Sequence, residues 1–173
     1  MASPVTVSRL TEADAPGCAR VLRSVADERR WIATPAGTPL EQLEERFRRQ
    51  AAEDDTHACV LRVGEEIAGT ASVAAGGGAR PHALGMAIAA PHRGRGGGSR
   101  LLDAVLAAAA ADDRVAKVTL EAWQHNAAAI ALYASRGFVV EGVLREHYAA
   151  PTGDGRWSSV VMGWWPGRPT PGA

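Results

Sequence analysis

The chain has 173 residues, enough for one ordinary domain with a sizeable core and too few for two full enzyme domains. Its 19 basic and 19 acidic residues cancel, so no overall field draws it toward nucleic acid or an anionic membrane, and any positive potential has to be local. No apolar run approaches the length of a membrane span, residues 1–10 lack the pattern of a secretory leader, and Cys18 and Cys59 stand among apolar neighbours without disulfide or metal-ligand spacing. The reading is a soluble cytoplasmic protein with buried free thiols.

Val5, Val7 and Leu10 suggest a first strand. Thr11 stands where an N-cap belongs, with Asp14 as a partial capping box, and Cys18, Val21, Leu22 and Val25 follow at helical spacing, which predicts a helix to about Glu28. Thr38-Pro39-Leu40-Glu41 restarts the helical pattern with a cap, a proline at the first helical position and a capping-box glutamate. Leu40, Leu43 and Phe47 mark the buried face of this second helix.

Segments 57–63 and 67–74 are rich in small and β-branched residues and are joined by Gly64-Glu65-Glu66, which predicts a hairpin. A strand over 82–89 follows a glycine loop, then a glycine-rich turn, then a helix carrying Leu101, Leu102, Val105 and Leu106. Residues 116–122 alternate as a strand, with Val118 and Leu120 on one face and Thr119 and Glu121 on the other. A helix over 127–136 ends at Gly137, a natural left-handed cap. Strands over 138–144 and 157–164 flank a polar connection and form a final hairpin, whose edge could pair two subunits into a homodimer. Residues 1–165 read as one domain, and 166–173, made of turn formers and small residues, as a disordered tail.

The strongest chemical signal is Arg93-Gly94-Arg95-Gly96-Gly97-Gly98-Ser99, which leads from a strand straight into a helix. The first turn of a helix has N–H groups without internal partners at the positive end of the macrodipole, so it binds phosphate oxygens. Glycines let the anion approach the main chain, and Arg93, Arg95 and Arg100 can add charge-assisted bonds. A mononucleotide P-loop would end in Gly-Lys-Ser/Thr. A dinucleotide site would place the turn after the first strand of a βαβ unit. Neither description fits.

The segment from Arg93 to Gly98 resembles the Arg/Gln-x-x-Gly-x-Gly/Ala motif of the GNAT (Gcn5-related) N-acetyltransferases. A second block, from Asn126 through Leu132-Tyr133 to Gly137-Phe138, is similar to that family's Asn-x-x-Ala-x-x-Leu-Tyr-x-x-x-Gly-Phe segment. The resemblance covers nearly the whole chain. It implies an α/β (α+β) fold with a mixed, mostly antiparallel sheet flanked by helices, and a splayed strand pair that admits an acyl-CoA.

It also implies roles residue by residue. Met86, Ala87 and Ile88 would pair through their main chain with the pantetheine arm. Arg93, Gly94, Arg95, Gly96, Gly97, Gly98 and Ser99 would hold the pyrophosphate of acetyl-CoA, and Asn126 would reach the cofactor's pantetheine side. Tyr133 would also touch the cofactor and protonate the departing sulfur. No metal is called for. The family's usual glutamate on the strand before the turn is missing, and counting back from Arg93 puts His82 in its place. An imidazole titrates near neutrality, so His82 is one candidate base. Glu121 on the neighbouring strand is another, and a bound water is the third.

An amine acceptor would enter opposite the cofactor, near Glu28, Arg29, Trp31, Arg145, Glu146, His147 and Tyr148. The resemblance implies acetylation of a primary amine on a small molecule or a protein N-terminus in a ternary complex. The alternative is an acyl-CoA-binding sensor that has lost the base. Neither nucleic acid nor membrane is an expected partner.

Overall fold

The computed structural model describes residues 3–78 and 80–168. Strand β1 (Val5–Arg9) leads through a short turn to helix α1 (Ala15–Asp27), and α2 (Leu40–Ala52) follows. Then come β2 (His57–Val63), β3 (Glu66–Ala74), β4 (His82–Ile88), α3 (Gly97–Ala110), β5 (Val118–Trp123), α4 (Ala127–Ala134), β6 (Val139–Ala149) and β7 (Arg156–Trp164). This is the element order expected from the sequence. Residues 166–168 of the expected tail adopt a turn or irregular backbone, and 169–173 lie outside the described residues.

Local chemistry explains most of the boundaries. The Asp14 carboxylate accepts the Thr11 N–H at 2.9 Å, as the partial capping box required. Thr38 does not cap α2: its hydroxyl donates to the Pro35 carbonyl at 2.7 Å, which leaves Pro39 in the cap position. Leu43 and Phe47 are buried as expected, while Leu40 packs against the core only in part. Gly137, at a φ of 89°, reverses the chain after α4, and the Phe138 N–H returns to the Tyr133 carbonyl at 3.2 Å.

The strands form one sheet in the order β1-β2-β3-β4-β5-β7-β6. Every neighbouring pair is antiparallel except β4 and β5, which run parallel and pair only through His82 with Val118 and Ala83 with Thr119. Beyond that point the two strands part. The split in the sheet is therefore set by a ladder that ends two registers after it begins.

A core lies on each face of the sheet. One packs Leu101, Leu102, Val105 and Leu106 of α3, with Tyr133 and Phe138, against Leu61, Val73, Val118 and Leu120. The other packs Cys18, Val21, Leu22 and Val25 of α1, with Leu43 and Phe47 of α2, against Val60 and Ala87. Cys18 and Cys59 are both free and buried. Strand β7 is internal and β6 is an edge, so any pairing of subunits through this hairpin would use β6, where Val139, Val140 and Val143 are exposed. No helix among the described residues is long and apolar enough to cross a membrane.

Candidate active site

A cavity of about 700 Å³ opens where β4 and β5 part. Strand parity decides what its β4 wall presents. The His82 N–H bonds across to the Lys117 carbonyl, and the Ala89 N–H bonds back to the Ala68 carbonyl of β3, so even-numbered residues of β4 turn their main chain toward β5. Met86 and Ile88 accordingly face the gap with their peptide groups, whereas the main chain of Ala87 belongs to the β3 ladder opposite Thr70.

At one end of the cavity stands the start of α3. Gly94 and Gly96 have φ values of 70° and 78°, a region that favours glycine, and Gly96 is the N-cap without any side-chain cap. Gly97 is glycine for another reason, since a Cβ there would lie 2.6 Å from the Leu61 Cδ2. At Gly98 a Cβ would meet only Leu132 at 3.5 Å and Met86 at 3.9 Å, which is ordinary contact. The first N–H groups of α3 have no intrahelical partners, and Gly94, Gly96, Gly98 and Ser99 line the cavity. Arg95 and Arg100 are exposed beside the turn. An extended anion with a long apolar-walled arm, such as an acyl-CoA, fits this arrangement.

Arg93 lines the cavity as well, and its guanidinium is already engaged. Its Nε donates to the Ile88 carbonyl at 2.8 Å, and Nη1 and Nη2 donate to the two oxygens of Glu28 at 2.8 and 2.6 Å. Asn126 lines the cavity, and its Oδ1 accepts the Ala129 N–H at 3.3 Å, capping α4. Tyr133 is 8% exposed, also lines the cavity, and has its phenol pushed up to about 12 by burial.

At the other end the walls are side chains from distant segments. Glu121 stands on β5 facing the α1 side; its Oε2 accepts the Tyr148 hydroxyl at 2.9 Å and its Oε1 accepts the Ser159 hydroxyl. The Tyr148 phenol is held above its ordinary value by that hydrogen bond, by burial and by the carboxylate charge. Tyr148 reaches Glu121 because β6 is irregular between Leu144 and Tyr148, with Glu146 at a φ of 46°. The Glu146 N–H bonds to the Ser158 hydroxyl at 2.9 Å, and Arg156 bonds to the carbonyls of Glu146 and His147, which pins the bulge.

Around Glu121, Trp123 packs edge-on to Tyr148 at 5.0 Å and to Trp157 at 5.5 Å, and His125 packs on Trp157 at 4.5 Å. Trp31 and His125 complete this end of the lining. Of the acceptor residues expected from the sequence, Trp31 and Tyr148 line the cavity, while Glu28, Arg29, Arg145, Glu146 and His147 do not.

Between the candidate bases the geometry discriminates. Glu121 lines the cavity and His82 does not. His82 sits at the closed end of the split, opposite Val118, buried, and its Nε2 finds no hydrogen-bond partner among the described residues. Sequence reasoning missed Ser159 as a partner of Glu121 and the aromatic lining of Trp123 and His125, on which Trp157 packs. The period-2 alternation of β5 placed Trp123 on the face of Glu121, but the pairing of Glu121 with Val161 and of Trp123 with Ser159 has no local signature. No cluster of residues suited to a metal ion occurs among the described residues.

A parallel split beside a helix start, within a mixed sheet, defines an acyl-CoA-binding transferase fold. Residues 22–138 match the acetyltransferase (GNAT) family. The chain is 32% identical over 156 residues to the N-alpha-acetyltransferase RimI of Mycobacterium tuberculosis, covering 87% of this chain and 89% of that protein. Its fold is similar to that of a GNAT-family acetyltransferase from Streptococcus pneumoniae, with a TM-score of 0.84, 22% identity and coverage of 95% and 100% of the two chains. It is also similar to that of the ribosomal-protein-S18-alanine N-acetyltransferase of Escherichia coli, with a TM-score of 0.71, 24% identity and coverage of 98% and 99%. The chain belongs to the GNAT family and is an acetyl-CoA-dependent N-acetyltransferase.

Proposed function

We propose that the enzyme acetylates the α-amino group of a polypeptide N-terminus by direct attack within a ternary complex. One observation carries this reading: a single cavity joins the α3 N-terminus, Tyr133 and the Glu121 carboxylate. The similarity to an N-alpha-acetyltransferase supports the choice of an N-terminal amine over a free small molecule.

In this reading the main-chain N–H groups from Gly94 to Ser99 hold the pyrophosphate, the Arg93 N–H being bonded to the Ala90 carbonyl at 3.3 Å, the peptide groups of Met86 and Ile88 align the pantetheine arm, and Asn126 borders it. Ala87 contributes packing. Glu121 takes a proton from the incoming ammonium, and the neutral nitrogen forms a bond to the thioester carbonyl carbon. The Ile88 N–H, turned into the gap, stabilises the oxyanion. As the carbon–sulfur bond breaks, Tyr133 gives its proton to the sulfur, and the second proton lost by the nitrogen restores the phenol. Products are the amide, free CoA thiol and one proton, which leaves from Glu121. Tyr133 suits the task because burial keeps it protonated throughout the working range.

The test is CoA-thiol release with short peptides bearing a free N-terminal alanine, compared with the same peptides blocked at the N-terminus and with free amino acids and polyamines. Turnover confined to the free N-termini is expected. Turnover of the small amines alone would replace this reading, and tight acetyl-CoA binding without turnover of any amine would favour the sensor.

A further inference from the structure

The motif that brought Arg93 to notice assigns it to phosphate, yet its guanidinium is already engaged with Ile88 and Glu28. Three of its donors are spent, one on the Ile88 carbonyl and two on Glu28 in a bidentate pair. Glu28 follows directly on α1, and the same carboxylate oxygen that accepts Nη1 also accepts the Trp31 indole N–H at 2.5 Å. The Arg93 guanidinium lies 5.6 Å from the centre of the Trp31 ring, so the cation both anchors the carboxylate and borders the aromatic. Arg93 holds the Glu28 carboxyl below the usual range, against partial burial, with the Trp31 N–H assisting.

The segment so anchored needs an anchor. Arg29 adopts a φ of 51°, a conformation that a non-glycine residue keeps only where its surroundings enforce it. The Arg30 carbonyl accepts from His125 at 2.9 Å, which ties the same loop to the end of β5. Trp31 thus reaches the cavity wall held from two sides, by Glu28 with Arg93 near the end of β4 and by His125 beyond β5.

We infer that Glu28 and Arg93 form a strut that sets the acceptor wall through Trp31, and that the Arg93 side chain serves the amine rather than the phosphate. Both are positioning residues. The inference rests on the reading of the α1–α2 segment as the acceptor side. The turn keeps its phosphate function through main-chain N–H groups, which Arg93 does not need to supplement.

The experiment compares Glu28→Gln, Arg93→Met and the double variant with the wild type. Acetyl-CoA affinity by calorimetry is expected to stay within about threefold in all three, while KM for an N-terminal-alanine peptide rises about tenfold with a smaller change in kcat. The double variant should be no worse than the poorer single one, because the two residues act as a unit. Tryptic cleavage after Arg29 or Arg30 should accelerate equally in both single variants, a readout that needs no acceptor. A loss of acetyl-CoA affinity of about tenfold or more in Arg93→Met, with Glu28→Gln unaffected, would overturn the strut and return Arg93 to the anion. If the wild type ignores the peptide, the N-terminal reading fails by itself, and the affinity and cleavage measurements still decide the strut.

Discussion

At the α3 end of the cavity the chain presents main-chain N–H groups from consecutive residues, whereas at the α1 end it presents side chains gathered from β5, β6, β7 and the segment after α1. The first surface is built by the start of one helix and needs no particular side chain, only the room that glycines leave. The second exists only after the sheet has formed, because Ser159 and Tyr148 reach Glu121 through pairing and a bulge. A donor site made of backbone tolerates change in its neighbours. An acceptor site made of converging side chains is where one enzyme of this fold differs from another.

The largest effect should come from blocking the backbone surface. Gly98 is the better test position than Gly96, whose left-handed φ would add strain to any replacement. Gly98→Glu places a carboxylate at the N-terminus of α3, where it suits the helix dipole but repels phosphate. Loss of acetyl-CoA affinity by at least about 100-fold is expected, measured by calorimetry, with the melting temperature of the unliganded protein nearly unchanged. Retained affinity would remove the anion site from this turn.

Next comes the other end. Glu121→Gln keeps the shape and removes the base: its single carbonyl oxygen accepts from one of the Tyr148 and Ser159 hydroxyls and its NH2 donates to the other. A fall in kcat/KM of about 100- to 1000-fold with unchanged acetyl-CoA affinity is expected from pre-steady-state and equilibrium measurements on the same variant. His82→Gln, altering a residue outside the cavity lining, should leave the chemical step intact. The reverse ranking of the two variants would transfer the base to His82.

The contrast also explains what was legible beforehand. The donor turn, Asn126 and Tyr133 lie in two contiguous stretches whose spacing is fixed by one helix start each, so a linear motif reports them. The face alternation of β5 and the order of elements were legible for the same reason: periodicity is local. Thr38 was misplaced as a cap because its hydroxyl turns back to the Pro35 carbonyl three residues earlier, a local alternative that the capping pattern does not report. The pairing of Arg93 with Glu28 was not legible, because Glu28 lies 65 positions earlier and only the closing of α1 onto the end of β4 joins them. Which of His82 and Glu121 lines the cavity depends on where the β4–β5 ladder stops, a register that neither strand encodes alone.

A third, smaller effect tests the acid. Tyr133→Phe preserves the packing on Phe138, whose ring lies 5.7 Å away, and should lower kcat by about 10- to 100-fold without altering acetyl-CoA affinity. Because the phenol is raised to about 12, the wild type should show no basic limb from this group below its ordinary value of 10.0 in a pH–rate profile. A basic limb near neutrality that vanishes in Tyr133→Phe would contradict the burial that the structure gives it.

The smallest effect concerns stability, and it involves both cores. Burial pushes the Cys18 thiol of the α1 layer from 9.0 up to about 12, as it does the Tyr133 phenol of the α3 layer from 10.0. Both groups are neutral when protonated, and the folded state favours that form. Their contribution is therefore complete below the unfolded values and is lost as pH rises through them toward about 12. The thiol titrates before the phenol in the unfolded chain, and burial raises the Cys59 thiol of the α3 layer as well, so alkaline loss should begin with the thiols of both layers. Cys18→Ala should cost some stability at neutral pH through the space it leaves, yet show a flatter decline of urea midpoint than the wild type from about pH 9 to 10. Tyr133→Phe should flatten the curve only above that interval. Parallel curves for wild type and Cys18→Ala would mean that the thiol ionises as readily in the folded protein as in the unfolded chain, which the closed packing of Cys18 among Val21, Leu22 and Val60 does not permit.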